Sequence, residues 1–248
     1  MNPYKTDREM IARNIYDFLK RETTLIVQSA PPNPPQWLER CMTSVQGWAK
    51  ARGYQYEFVA DGLFDFVPLN LRKIHKLAQT DLARLLLLRN RIGYHQGVCW
   101  IDSDVLVWGS LELPNEAFAV CRELWWDGAE EFHRTNNVLV QVTRAGKGKL
   151  EVLLAETQRR AHGPLQKCGL GPDLLDELHA RVPFMRVEGV GMFGPHLLKA
   201  LSKSDYSLLE QYTQRFGPSQ AANLCLSFEG EGKVMMAAID ALERRASR

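Results

Sequence analysis

The stretch VCWIDSDVLVWGS, from Val98 to Ser110, constrains the fold more than any other part of the chain. Val98 to Ile101 form a near-continuous apolar run, the pattern of a strand buried on both faces in the middle of a parallel sheet. Two carboxylates one residue apart, Asp102 and Asp104, then interrupt it before the apolar character resumes. Ionised side chains are costly in the middle of a buried strand. They belong at its carboxyl end, where open parallel α/β sheets bind their ligands. In an extended segment side chains alternate, which sets Asp102 and Asp104 on one side and Ser103 on the other.

The segments upstream fit such a sheet. TTLIVQSA is short, β-branched and bounded by the loop PPNPP, so it reads as a first buried strand ended by the prolines at 31, 32, 34 and 35. QWLERCMTSVQGWAKARG then carries Trp37, Leu38, Cys41, Val45 and Trp48 at helical spacing, with Gly53 as its stop. YQYEFVAD alternates as a second strand. Strand, helix and strand in this order open a parallel-sheet, nucleotide-binding unit. The next helix, over Leu71 to Asn90, is apolar nearly all round at LARLLLL and must be covered on more than one side. It carries Asp81 and Arg84, three residues apart and therefore neighbours on one face.

In the second half, EAFAVCRELWW fits strand or helix alike. NNVLVQVTR and FMRVEG read as strands; KLEVLLAETQRRA, PDLLDELHA and GKVMMAAIDALERR read as helices. AGKGK, at 145–149, reads as a flexible basic turn and lacks the spacing of a phosphate-binding P-loop.

A length of 248 residues with 45% apolar content suits one packed α/β domain over 1–248, with a boundary between its halves near residue 113. The first 22 residues interleave charge with an apolar stripe of Ile11, Ile15, Phe18 and Leu19, which predicts an amphipathic helix and no secretory signal. No apolar run reaches the length of a membrane span. With 31 basic and 29 acidic residues, the net charge of +2 provides no field that would draw the chain onto nucleic acid, while leaving room for peripheral contact with a membrane. The five cysteines (Cys41, Cys99, Cys121, Cys168, Cys225) are odd in number, scattered and without CxxC spacing, so we expect reduced thiols and a cytoplasmic protein.

Two carboxylates side by side at a strand end can hold a divalent cation. Oxygen donors favour magnesium, manganese or calcium over zinc, and magnesium usually shares its shell with substrate phosphates. A metal-bound diphosphate is the guest such a site suits.

AQTDLARLLLLRNRIGYHQGVCWIDSDV resembles the core of the DxD-containing sugar transferases with a GT-A fold, the group related to the yeast initiating mannosyltransferases and the glucosylating domains of large clostridial toxins. Ala78, Asp81, Arg84 and Leu88 match that family's helix, Thr80 stands where it often has Ser, and Asp102 and Asp104 form the D-x-D. LIVQSA is similar to its first strand, with Gln28 matching and Val27 in place of a His. The Gly-Gly that precedes the D-x-D strand is replaced by IGYHQG. The later T-G-P is matched by Leu170 to Pro172, with Gly194-Pro195 as a rival.

The resemblance implies a GT-A-like, Rossmann-related α/β fold: a central, mostly parallel sheet flanked by helices in a single domain. Residues 23–113 would bind the nucleotide-sugar, and 114–248 would form the acceptor half and the C-terminal helices. Gln28, Ser29, Asp81, Arg84 and Asp102 would contact the donor, Asp102 and Asp104 would hold Mn2+ or Mg2+, and Asp102, Asp104 and Arg84 would be the catalytic set. The implied activity is transfer of a sugar, with retention of configuration, from a nucleotide-sugar to a glycan or glycolipid acceptor, in the setting of bacterial surface polysaccharide or glycolipid assembly. His196, in GMFGPHLL, is a candidate further metal ligand from the C-terminal half. Asn136 and Asn137, at the head of a strand, and Trp126, beside Trp125, are candidate acceptor contacts. His133 and Glu130 share that region without forming a motif. A nucleotidyltransferase would place a glycine-rich phosphate loop after the first strand, where this chain has SAPPNPP. A non-catalytic nucleotide-sugar-binding protein of the same fold is the other alternative.

Overall fold

The structure is a computed structural model that describes residues 23–126, 131–166, 168–225 and 232–246. The expected N-terminal helix and Glu130 lie outside the described residues.

Six strands form the main sheet, in the order β2-β1-β3-β6-β5-β7. They are β1 (Thr24–Gln28), β2 (Gln55–Phe58), β3 (Gly97–Ile101), β5 (Phe118–Trp126), β6 (Glu131–Thr143) and β7 (Met185–Val187). All run in one direction except β6, which is antiparallel to both of its neighbours. EAFAVCRELWW, open in sequence to either assignment, is therefore a strand, held between β6 and β7. A second sheet of three short strands, in the order β4-β9-β8, is made of β4 (Val105–Val107), β8 (Val190–Met192) and β9 (Ala221–Asn223).

Period-two alternation divides the core between the two faces of the main sheet. Leu25, Val27, Val98 and Trp100 face a layer built from α2 (Lys76–Arg91), α3 (Lys147–Ala161) and α4 (Pro172–His179). Ile26, Cys99 and Ile101 face α1 (Gln36–Ala51) and the small sheet. A third cluster joins α1 to α5 (Pro195–Ser202), α6 (Ser207–Phe216) and α7 (Gly232–Ala246). The apolar run of α2 is thus spent on three neighbours: β3, the 3-10 turn Asp61–Phe66 and α3.

Local chemistry fixes the helix ends. Gly53 takes φ +71°, and the Gly53 and Tyr54 N–H groups bond back to the Lys50 and Ala49 carbonyls, closing α1 where the glycine predicted. α2 begins at Lys76, later than Leu71, because 3-10 turns occupy 61–66 and 69–71 and the His75 ring nitrogen caps the Ala78 N–H at 3.3 Å. AGKGK is not a flexible turn: Arg144–Gly146 is a 3-10 turn that leads straight into α3.

Candidate functional site

β1, β3 and β5 end on the side of the sheet where β6 begins, and a cavity of about 980 Å³ opens there. The feature that makes room for it is an offset in the β5–β6 pairing. Val120 pairs with Val140, but the next residue, Cys121, pairs with Asn136. The upper part of this pair leaves the sheet as a two-stranded ribbon and forms one wall, as bulges beside functional sites often do. α2 and the end of β3 form the opposite wall.

On the α2 wall, Arg84 is the hub. Its guanidinium donates to the Asn137 carbonyl at 2.8 Å and lies 3.2 Å from Asp102 Oδ1 and 3.3 Å from Asp81 Oδ1. Trp100, two residues before Asp102, donates its indole N–H to Asp102 Oδ1 at 2.6 Å. Asn137 donates its amide to Asp81 Oδ1 at 2.8 Å. Burial pushes the Asp81 carboxyl up to about 6, with the Arg84 charge opposing it. Burial also raises Asp102, against the pull of Arg84 and the Trp100 hydrogen bond. Gly171 lies so close that a Cβ there would stand 3.0 Å from Asn137 Nδ2 and 3.1 Å from Asp81 Oδ2. Of the two Gly-Pro matches, Gly171-Pro172 is therefore the one beside Asp81, while Gly194 seats the Trp125 ring.

β3 stops at Ile101, and Asp102 to Asp104 form a turn in which the Val105 N–H bonds to the Asp102 carbonyl at 3.2 Å. The simple alternation expected for Asp102-Ser103-Asp104 does not hold, since all three line the cavity. Asp104 accepts a 2.7 Å hydrogen bond from the Asn223 amide, at the end of β9, and its own carbonyl accepts from the Leu224 N–H.

Several expected contacts take other roles. Gln28 is fully buried and does not line the cavity: its amide donates to the Asp102 carbonyl at 3.0 Å and its oxygen accepts from the Tyr56 hydroxyl, so it holds the turn in place. Ser29 does line the cavity. Arg84 lines the cavity with only 5% of its side chain exposed; its two Nη groups are taken up by Asn137, Asp81 and Asp102 while its buried Nε has no hydrogen-bond partner among the described residues, so it acts first as a support for the two carboxylates. Trp126 packs into the apolar core on the far face of the ribbon, and Trp125 faces the cavity instead. His196 is exposed on the first turn of α5 and is not among the residues lining the cavity. Asn136 turns away from Asn137 and donates its amide to Glu123 at 2.7 Å.

Glu123, Arg134, Phe132 and Asn223 escaped the sequence reading. Three of them carry a faint signal, because Glu123 and Trp125 are two apart, as are Phe132, Arg134 and Asn136, the spacing of one strand face. Asn223, in a three-residue strand, carries none.

No protein-family model and no curated protein matches the sequence. In three dimensions the chain aligns with a glycosyltransferase involved in glycosylation of the major capsid of PBCV-1, covering 87% of this chain and 98% of that one at 11% identity and a TM-score of 0.51. The fold is of the GT-A type. Two looser alignments are to the galactosyltransferase LgtC in complex with donor and acceptor sugar analogues (16% identity, 86% and 95% covered, TM-score 0.45) and to mouse xyloside xylosyltransferase 1 (10%, 85% and 99%, 0.45). In this GT-A-type sheet the cavity occupies the carboxyl ends of β1 and β3, the position that open α/β sheets give their ligands. Among the described residues no helix is long and apolar enough to cross a membrane.

Proposed function

We propose that this chain is a glycosyltransferase that transfers a sugar from a nucleoside diphosphate donor to a glycan or glycolipid acceptor, with Mn2+ or Mg2+ as cofactor. The observation that carries the reading is convergence. Asp81 and Arg84 from a helix, Asp102 and Asp104 from a strand end, and Asn137 from a third segment meet in one cavity of a GT-A-type fold. Asp81 and Asp102 are braced, not flexible, so they can orient donor hydroxyls without an ordering cost at the moment of reaction. The resemblance of the 78–104 segment supports retention of configuration.

The donor set suits the proposed cation. Asp102 and Asp104 line the cavity with hard carboxylate oxygens, the preference of magnesium and manganese, while the Asn223 amide orients Asp104 and spends its own oxygen on the Cys225 N–H. Among the described residues no third His, Cys, Asp or Glu joins the pair, which leaves the remaining positions to water and the diphosphate. Bound there, the cation would neutralise the charge that develops on the leaving diphosphate.

The test is nucleoside diphosphate release from a panel of UDP- and GDP-sugars with Mn2+. The expected result is release from at least one donor, reduced about 100-fold or more in Asp102→Asn. No release from any donor, with or without added glycosides, would overturn the reading.

A further inference from the structure

The β5–β6 ribbon carries a second constellation, on the wall opposite Asp81 and Asp102. Antiparallel register places Glu123 across from Arg134 and Trp125 across from Phe132. Both rungs, with Asn136, present side chains to the cavity. The polar rung is tightly built. Glu123 has 9% of its side chain exposed, and its Oε2 accepts from Arg134 Nε at 2.6 Å and from Asn136 Nδ2 at 2.7 Å. Among the described residues Oε1 has only a 3.5 Å contact, with Arg134 Nη2, so its lone pairs remain on offer. Arg134 is balanced by Asp173 at 3.5 Å and lies over the Phe132 ring, 4.9 Å from its centre. Asn136 is held in turn by the Val138 N–H at 2.8 Å.

We infer that this face of the ribbon is the acceptor subsite and that it takes a pyranose with adjacent free hydroxyls. The inference rests on the glycosyltransferase reading above and adds the class of the acceptor to it. A carboxylate oxygen beside a guanidinium presents acceptor and donor side by side. Neighbouring hydroxyls, each of which both donates and accepts, complement that pair. The aromatic rung, two pairs farther along the ribbon and so on the same face, offers the flat face against which the C–H side of a sugar ring packs. Adjacent asparagines link the two walls: Asn137 bonds Asp81 on the donor side, and Asn136 bonds Glu123 on this one. Sugar transfer needs two sugar subsites flanking one reacting centre, and the pairing offset above Val120 is what separates the walls enough to hold both.

Saturation-transfer NMR on the full chain, with methyl pyranosides of gluco, galacto, manno and N-acetylglucosamine configuration, tests this, alongside titration of the parent chain with UDP and GDP in Mn2+. At least one pyranoside should bind in the millimolar range. Glu123→Gln, which keeps the shape, should weaken it about tenfold or more, and Trp125→Ala likewise. Phe132 is 44% exposed, so Phe132→Ala keeps the fold and serves should Trp125→Ala not fold. Melting curves of each variant establish folding. Octyl glycosides that bind about tenfold tighter than the methyl forms identify a lipid-linked sugar; equal binding identifies a glycan. Nucleotide binding with no pyranoside bound overturns the subsite, leaves the donor reading intact and points to a protein hydroxyl as acceptor. A bound pyranoside indifferent to Glu123→Gln overturns it as well. Pyranoside binding with the expected sensitivity, but no nucleotide binding, leaves the subsite standing and removes the donor reading.

Discussion

Asp81 takes a carboxylate into a site where only 4% of the residue meets solvent, and its proton equilibrium reports the cost. Unfolded, it titrates near 3.8; folded, near 6. Between those values the native state keeps a proton that the unfolded chain has lost, so stability falls as pH rises through the window and is level above it. Two pH units correspond to a loss on the order of 2–3 kcal/mol. Urea unfolding at pH about 4 to 7 should show this decline in the parent, and Asp81→Asn should show a shallower one, keeping only what the raised Asp102 contributes; parallel profiles would mean that Asp81 does not titrate in the fold. Arg84 poses a different question, since one fork reaches two carboxylates and a carbonyl. A lysine has no fork to span all three. Arg84→Lys should lower the melting temperature by a few degrees and lower turnover per folded molecule about 100-fold, because Asp81 and Asp102 lose their orientation. Normal turnover per folded molecule would reduce Arg84 to a structural ion pair.

Elements differ in how far they could be foreseen. β1, β3 and α1 were legible because each carries its own signal: a buried apolar run, or helical periodicity closed by a left-handed glycine. β4, β8 and β9 have three residues each and exist only through one another, a property of tertiary pairing. The Asp81, Arg84, Asp102 group was readable because it lies within one short stretch, whereas Glu123 and Arg134 become partners only through a strand register displaced by the offset at Cys121. The glycines of AGKGK show how composition misleads. Gly146 packs so closely on the start of β5 that a Cβ would lie 1.8 Å from the Ala117 carbonyl oxygen, whereas around Gly148 there is nothing within 4 Å. Gly146→Ala must displace backbone and should cost about 3 kcal/mol or more, a fall in melting temperature of about 6–12 °C. Gly148→Ala, in the first turn of α3, should be neutral or stabilise by up to about 1 kcal/mol. Equal melting temperatures for the two variants would refute the close packing of β5 on the α3 start.

At the scale of the whole molecule, charge is distributed against the proposed donor. The chain carries +2 overall, yet among the described residues the cavity is lined by six carboxylates (Asp61, Asp81, Asp102, Asp104, Glu123, Glu131) and three cationic side chains (Lys76, Arg84, Arg134). Arg84 and Arg134 are already paired with those carboxylates, so a diphosphate entering alone meets net repulsion. A divalent cation reverses the local sign, and its binding and that of the nucleotide must then favour each other equally. Ligand at about 100 times its dissociation constant contributes about 2.7 kcal/mol, a rise in melting temperature of about 5–10 °C for a chain of this size. UDP or GDP with Mn2+ should give that rise, while nucleotide in EDTA should give little. Asp104→Asn separates the cause from general stability. The amide retains an oxygen for the Asn223 hydrogen bond and relieves repulsion with Asp102, so the metal-free variant should melt no lower than the parent. Its cation-dependent rise should vanish, because a neutral amide is a poor substitute for a carboxylate toward the ion. An equal nucleotide-induced rise in EDTA, or a variant that loses stability yet keeps the manganese-dependent rise, would show that Asp104 is a turn residue and that the nucleotide binds without a cation.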